Sequence, residues 1–277
     1  MTSRPYAEVI GDPIAHSKSP TIHNFWLKKL GIDAEYRATR VTLGTLGDYL
    51  DGRRNDPSWL GCNVTMPLKL PALRHADRRD EGASAVAAAN LLVVRAGTLI
   101  ASNTDTAGVL DALPVALMPA GSEVCLIGTG GAARAALSAM RARDVSLVLI
   151  SARDETAGFA LLREFSFGGC VRSLHDDHNL VRSDVIINAT PLGMRGKAKM
   201  PSTVLDVFKE PIVASTVFDM VYDPIDTALL RAARTAGIRT VDGLEMLVGQ
   251  AAAAFRRLFG QPAPREHDAE LRALLTA

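Results

Sequence analysis

Residues 123–134 read EVCLIGTGGAAR, an apolar run followed directly by a glycine-rich turn and an alanine-rich stretch. The segment Gly128-Thr129-Gly130-Gly131-Ala132-Ala133 fits the pattern G-x-G-x-x-A, and its place between a predicted strand and a predicted helix is typical of a dinucleotide-binding turn. Gly128 would permit the tight turn, Gly130 would let the main chain approach a pyrophosphate, and free N–H groups of the helix would face that anion. The alternative is an ordinary glycine-rich turn without a ligand.

Apolar runs and amphipathic stretches alternate on the C-terminal side of this turn. The pattern predicts strands at 123–127, 147–150, 185–188, 213–218 and 238–241, and helices near 132–143, 156–165 and 226–236. Such alternation is typical of a doubly wound parallel sheet. A long apolar helix is predicted over 244–259, ended by Gly260 and Pro262.

The N-terminal half has the same rhythm. The pattern predicts strands at 6–10, 34–41 and 60–64, helices at 21–30 and 83–90, and a hairpin of strands 91–95 and 98–100. Residues 105–119 are helical in pattern but are interrupted by Pro114 and Pro119. The predicted fold is therefore α/β, with an N-terminal α/β domain of residues 1–106 and 244–277 and a Rossmann-like, doubly wound domain of residues 107–243.

Composition excludes several classes of protein. The chain has 277 residues, 48% of them hydrophobic, which suits two globular domains and excludes a disordered chain. A formal net charge of +1 without a basic block argues against a nucleic-acid partner. No apolar run approaches the ~20 residues of a membrane span, and the first ten residues do not resemble a signal peptide, so we expect a cytoplasmic protein. Cys62, Cys125 and Cys170 show no C-x-x-C spacing, so neither a disulfide framework nor a metal site is expected.

The strand predicted at 147–150 ends where an NAD-specific site would carry an acidic residue for the ribose. No acidic residue precedes Arg153 there. A guanidinium can pair with the 2′-phosphate of NADP, so the sequence favours NADP over NAD. Asp154 beside it counts against this interpretation, and a solvated surface charge is the alternative for Arg153.

Three short segments of the N-terminal half carry the side chains of a candidate site. They are His16-Ser17-Lys18-Ser19-Pro20, Asn63-Val64-Thr65-Met66-Pro67-Leu68-Lys69 and Asn103-Thr104-Asp105. Each follows a predicted strand, and strand ends form the ligand crevice of an open parallel sheet. Hydroxyls, an amide, an ammonium and a carboxylate would converge there, which suits a polyhydroxylated molecule. Lys69 and Asp105, if adjacent, could share a proton in acid–base chemistry.

These segments belong to a longer series of motifs that runs along nearly the whole chain. S-K-S-P, N-V-T-x-P-x-K, N-T-D, G-x-G-G-A-x-R, I-N-A-T-P-x-G-M and D-G-L-x-M-L-V-x-Q-A together resemble the shikimate dehydrogenase family. The resemblance implies NADP-dependent reduction of 3-dehydroshikimate to shikimate in aromatic amino-acid biosynthesis. It also implies that residues 1–106 and 244–277 bind substrate and that residues 107–243 bind the cofactor.

The resemblance implies roles for individual residues. Lys69 and Asp105 match the catalytic pair, with Lys69 as proton carrier. Residues matching substrate contacts are Ser17 and Ser19 for the carboxylate, Thr65, Asn90 and Gln250 for hydroxyls, and Tyr222. Residues matching the cofactor site are Gly128, Thr129, Gly130, Gly131, Ala132, Arg153, Met220, Gly243 and Glu81.

Two departures from the family pattern keep alternatives open. Thr106 stands where the family has glycine after N-T-D, and Thr156 and Ala157 stand where a second basic residue often follows Arg153. The alternatives are a quinate/shikimate or aminoshikimate dehydrogenase using NAD or NADP, and a metabolite sensor without turnover. The expected partner is a small molecule, with the protein a monomer or homodimer.

Overall fold

The computed structural model describes residues 4–176 and 178–277. Residues 1–3, the start of the segment in which no signal peptide was found, and residue 177 lie outside the described residues. The chain divides into two compact units: the first is the described part of Met1–Asp105 with Gln250–Ala277, and the second is Thr106–Gly249. The domain boundaries at 106/107 and 243/244 stay predictions, since the units change over at 105/106 and 249/250.

The secondary structure of the described residues follows in chain order. The strands are β1 Tyr6–Gly11, β2 Glu35–Arg40, β3 Trp59–Val64, β4 Arg78–Arg79, β5 Leu91–Arg95, β6 Thr98–Ser102, β7 Glu123–Ile127, β8 Leu147–Ala152, β9 Gly169–Ser173, β10 Val185–Asn188, β11 Thr216–Asp219 and β12 Arg239–Val241. The helices are α1 Ser19–Lys29, α2 Leu46–Arg54, α3 Lys69–His75, α4 Glu81–Val86, α5 Asp105–Ala112, α6 Gly131–Ala142, α7 Glu155–Glu164, α8 His178–Arg182, α9 Ser202–Asp206, α10 Ala228–Thr235, α11 Gly243–Phe259 and α12 Asp268–Thr276.

The first unit is built on a mixed sheet. Its strand order is β2-β1-β3-β5-β6-β4, in which β1 lies parallel to β2 and β3, whereas β5 runs antiparallel to β3 and β6. Ala96 and Gly97, both with positive φ, form the tight turn of the predicted hairpin. Because β5 is antiparallel, its first residue lies at the same sheet edge as the last residues of β3 and β6.

The second unit has an all-parallel sheet with the order β12-β11-β10-β7-β8-β9. Strand order reverses between β7 and β10, which makes this point the ligand crevice of a doubly wound fold. Both faces are covered, since β7 and β10 place alternate residues in two different apolar clusters. This explains the nearly continuous apolar runs in the sequence. The predicted α/β class and the Rossmann-like second half are confirmed.

Several element boundaries differ from the prediction for local reasons. The predicted helix 83–90 ends at Val86, because Ala87 takes a left-handed conformation with φ of 51°. The helical pattern over 105–119 forms a helix only up to Ala112, before the predicted interruption at Pro114. The strand predicted from 213 begins at Thr216, and Val213 is 62% exposed. In the described part of the chain, no helix is both long and apolar enough to cross a membrane.

Candidate active site

Lys69 and Asp105 form an ion pair in the first unit. Lys69 is the first residue of α3, after the loop that follows β3, and Asp105 is the first residue of α5, after β6. The Lys69 Nζ lies 2.5 Å from the Asp105 Oδ2. Asp105 is 5% exposed and the Lys69 side chain is 25% exposed. The Lys69 ammonium is therefore the partner that a ligand can reach from solvent, and the buried Asp105 carboxylate holds it in place.

Asn90, the residue directly before β5, holds the other oxygen of Asp105. Its Nδ2 donates to the Asp105 Oδ1 at 2.8 Å, so both carboxylate oxygens are occupied. The Thr104 N–H donates to the Asn90 Oδ1 at 2.7 Å, which fixes the amide so that its NH₂ group faces Asp105. The Asn103 Oδ1 accepts from the Asp105 N–H at 2.9 Å. Asn103 and Thr104 have no role in the sequence prediction beyond membership of N-T-D, yet they orient two of its site residues.

The loop after β1 that carries Ser17 and leads to Ser19, here called the serine loop, and the loop after β3 that carries Thr65 lie side by side because β1 and β3 are neighbours. The Thr65 N–H donates to the Ile10 carbonyl at 2.9 Å, and the Asp12 N–H donates to the Met66 carbonyl at 3.1 Å. Ser17 accepts a hydrogen bond from the Ser19 N–H at 3.3 Å through its Oγ. The structure thus brings Ser17, Ser19, Thr65, Lys69, Asn90 and Asp105 to one edge of one sheet.

Two other predicted residues of the first unit lie on the helices α11 and α4. Gln250, in the part of α11 that belongs to the first unit, is half-buried. Glu81 is exposed in the first turn of α4. Nothing in its surroundings identifies a ligand, and its role toward the cofactor stays a prediction.

The glycine-rich turn of the second unit fits a pyrophosphate. Gly128 has φ of +109°, and a Cβ there would lie 2.6 Å from the Thr190 Cγ2, so only glycine suits this close approach. Gly130 and Gly131, at the N-terminus of α6, have no atom within 4 Å of the position a Cβ would take. Open space in front of a twelve-residue helix that has no acidic residue in its first turn favours an anion.

Arg153 and Asp154 follow β8 at the same edge of the second sheet. Arg153 is exposed, and it forms no ion pair with any other described residue. The Asp154 Oδ1 accepts from the Ala157 N–H at 3.0 Å and caps α7. The helix cap uses the Asp154 Oδ1, whereas the exposed Arg153 can offer its guanidinium to a phosphate. The side chains present therefore suit a 2′-phosphate held by Arg153.

Met220 and Gly243 meet in the second unit. A Cβ on Gly243 would lie 2.3 Å from the Met220 carbonyl oxygen, so α11 can begin here only with glycine. Tyr222, two residues after Met220, is half-buried. Burial raises the pKa of its hydroxyl, and the nearby charge of Asp223 raises this pKa further. Asn188 and Asp219, for which the sequence predicts no role, are fully buried beside this loop. Among the residues whose side chains the structure describes, no three His, Cys, Asp or Glu form a group that could hold a metal ion.

Comparisons with known proteins agree across the chain. The family model described as Shikimate dehydrogenase substrate binding domain matches residues 9–92, and that described as Shikimate 5'-dehydrogenase C-terminal domain matches residues 243–270. Shikimate dehydrogenase (NADP(+)) of Sphingopyxis alaskensis is 44% identical over 274 residues, covering 99% of this chain and 97% of that protein.

Solved structures extend this similarity to the fold. Shikimate 5-dehydrogenase of Thermus thermophilus, crystallised with NADP(H) and shikimate, is similar with a TM-score of 0.85 and 30% identity, covering 98% of this chain and 99% of that one. The ligand-free 5-ketofructose reductase of a Gluconobacter strain is similar with a TM-score of 0.84 and 25% identity, covering 98% of this chain and 99% of that one.

Proposed function

The chain belongs to the shikimate dehydrogenase family, and we propose that it catalyses the reversible, NADPH-dependent reduction of 3-dehydroshikimate to shikimate in aromatic amino-acid biosynthesis. The observation that carries this proposal is the Lys69–Asp105 ion pair, 2.5 Å between Nζ and Oδ2, with Asn90 on the other carboxylate oxygen. It is the acid–base group that reduction of a ketone to an alcohol requires. The 44% identical relative, named as an NADP(+) shikimate dehydrogenase, supports the same substrate and cofactor.

The residues of the first unit supply binding and a proton. Lys69 donates the proton to the substrate oxygen at the reacting carbon and takes it back in the reverse direction, while Asp105 orients the ammonium and the substrate hydroxyl. Asn90 keeps Asp105 oriented at no reorganisation cost, because its own amide is fixed by Thr104. The remaining substrate contacts of this proposal are Ser17 and Ser19 for the carboxylate, and Thr65, Gln250 and Tyr222.

The residues of the second unit hold the cofactor, which supplies the hydride when bound. The turn Gly128-Thr129-Gly130-Gly131-Ala132 binds the pyrophosphate, and Arg153 binds the 2′-phosphate that distinguishes NADP from NAD. Met220 and Gly243 border the nicotinamide. Glu81 belongs to this proposal as an acidic residue near the cofactor.

The partners of the proposed enzyme are small molecules rather than nucleic acid, and we place it in the cytoplasm as a monomer or homodimer. The location is supported by Cys62 and Cys125, which are buried thiols outside any disulfide, as in a reducing compartment. Light scattering on the purified protein distinguishes monomer from homodimer by mass.

Lys69→Ala tests the proposed mechanism. Loss of a positioned proton carrier lowers kcat by ~10² to 10⁴, whereas shikimate binding measured by calorimetry stays within about threefold. The matched control is Lys29→Ala, which removes a lysine of the same unit that pairs with Glu270 at the surface; it leaves both quantities unchanged. Full turnover in Lys69→Ala would rule out this role for Lys69.

A further inference from the structure

A buried polar cluster lies at the carboxyl edge of the second sheet, beside the point where strand order reverses. We call Asn188, Thr190, Asp219 and Thr227 the Asp219 cluster. Asn188 is the last residue of β10, and its register partners are Asp219, the last residue of β11, and Ile127, which directly precedes the glycine-rich turn. The cluster therefore sits where three neighbouring strands end.

Asp219 is the centre of the cluster and is fully buried. Its Oδ1 accepts from the Asn188 Nδ2 at 2.8 Å and from the Val221 N–H at 3.1 Å, and its Oδ2 accepts from the Thr227 Oγ1 at 2.7 Å. An ionised carboxylate is an acceptor only, so three converging donors suit the charged form. Burial nevertheless raises the pKa of this carboxyl group, with the three donors opposing the shift.

The negative charge of Asp219 has no cationic partner. Across the residues that the structure describes, no Lys, Arg or His forms an ion pair with it. A buried, unpaired charge is costly to a fold, and burial of one in a core is rare without a partner. Because burying this charge destabilises the fold, we look for a role of Asp219 that an uncharged side chain would not fill.

The cluster also fixes the loops around the predicted nicotinamide position. The Asn188 Oδ1 accepts from the Thr190 N–H at 3.0 Å and from its Oγ1 at 2.7 Å. The Thr190 methyl group is the atom that leaves no room for a Cβ at Gly128. Thr227 caps α10, accepting from the Leu230 N–H at 3.2 Å. The cluster thus connects the loops that follow β10 and β11 by hydrogen bonds, and its Thr190 lies against the turn that follows β7.

We propose that Asp219 is a positioning residue for the nicotinamide side of the cofactor site, and that its buried charge favours the oxidised cofactor over the reduced one. The inference rests on the proposed function, which places the nicotinamide beside Met220, the residue after Asp219. The nicotinamide ring is positively charged only in NADP⁺, and all other groups of NADP⁺ and NADPH are alike. A nearby buried anion therefore acts on the difference between the two affinities, because Coulomb attraction is weakly screened in a protein interior.

The first test measures the Kd of NADP⁺ and of NADPH separately by calorimetry, for the wild type and for Asp219→Asn. Asparagine keeps the shape, and its NH₂ group can donate to Thr227 once that hydroxyl rotates. We expect NADP⁺ affinity to fall at least about fivefold more than NADPH affinity, the size of effect that loss of a unit charge produces at moderate screening. An equal change for both forms would overturn the role of the charge.

The matched control is Asp184→Asn. Asp184 is half-buried at the opposite, amino edge of the same sheet, where its Oδ2 accepts from the Glu123 N–H at 2.8 Å. Removing the Asp184 charge should change the ratio of the Kd values of NADP⁺ and NADPH by less than about twofold, because this charge lies at the far end of the strands.

A second variant tests the positioning role. Thr227→Val removes one donor to Asp219 but leaves its charge, so it should weaken NADP⁺ and NADPH binding alike, and Thr227→Ser should restore both. Unchanged binding in Thr227→Val would overturn the positioning role. If Asp219→Asn does not fold by circular dichroism, the smaller uncharged variant Asp219→Ser takes its place, and an equal change in the Kd of NADP⁺ and of NADPH would overturn the role of the charge. A wild type that binds neither form would overturn the proposed cofactor itself.

Discussion

Acidification from about pH 8 to about pH 5 should cost the first unit about 2 kcal/mol of unfolding free energy through one side chain, His23. His23 lies on α1, fully buried. Its ring stacks on Tyr36 with centroids 4.0 Å apart and contacts Trp26 and Phe255. Among the described residues, neither ring nitrogen has a hydrogen-bond partner. Burial lowers the pKa of His23 from its ordinary 6.5 to about 3, so the folded protein keeps this imidazole neutral.

The sign and size of the effect follow from linkage. Below about pH 6.5 the unfolded chain binds a proton at this histidine and the folded chain does not, so stability falls as the pH falls. At about pH 5 the unfolded histidine is nearly all charged, and one and a half pH units at ~1.4 kcal/mol each give the loss stated above. The loss would continue to grow until the pH approaches the folded-state pKa of about 3.

The assay is urea unfolding followed by tryptophan fluorescence at both pH values, for the wild type and for His23→Leu. Leucine has a similar volume and does not titrate. The chain has two tryptophans, Trp26 and Trp59, and both lie in the first unit, so the signal reports on the unit that contains His23. We expect the wild type to lose about 2 kcal/mol more than the variant over this pH range. Equal losses would refute the argument, since all other titrating groups are common to both proteins.

Three further predictions concern charged residues. Arg153→Ala should raise the KM for NADP by ~10-fold and leave the KM for NAD unchanged, because only NADP carries the phosphate that this guanidinium would bind; initial rates with each cofactor check this. Glu8→Gln should lower the free energy of unfolding by ~2 to 3 kcal/mol in a urea titration, since Glu8 is buried and holds Arg53 through both oxygens, while Arg53 stays partly hydrated. Lys18→Met should raise the KM for substrate a few-fold at constant kcat, because its hydrogen bond to α12 holds the serine loop; Lys29→Met, which loses a different contact with α12, should leave both constants unchanged.

The local parts of the fold could be predicted from the sequence. The turn at Gly128 and the hairpin turn at Ala96-Gly97 each depend on a few adjacent residues, whose glycines and flanking apolar runs are visible in the chain. The end of α4 could not be predicted from the sequence, because the high helix propensity of alanine gives no sign that Ala87 takes a left-handed conformation.

The parts that depend on strand order could not be predicted. Asn188 and Asp219 are 31 residues apart, and their hydrogen bond exists because β10 and β11 are neighbours. Lys18 bonds a carbonyl of α12, 257 residues away, and nothing in S-K-S-P indicates that contact. The Lys69–Asp105 pair was partly predictable, because both residues follow predicted strands. The position of Asn90 beside the pair depends on the antiparallel β5, which brings it to the same edge of the sheet.

The most direct test of the proposed function measures the initial rate of nicotinamide reduction by absorbance, with shikimate or quinate as substrate and NADP or NAD as cofactor. We expect turnover with shikimate and NADP, at a kcat/KM well above that of the other three combinations. Thr106, directly after Asp105, has a hydroxyl without a partner among the described residues, which makes quinate and its additional hydroxyl the most demanding comparison. Preference for quinate or for NAD would contradict the proposed substrate or cofactor while leaving the Lys69–Asp105 site in place, and no turnover in all four mixtures would contradict the enzyme itself.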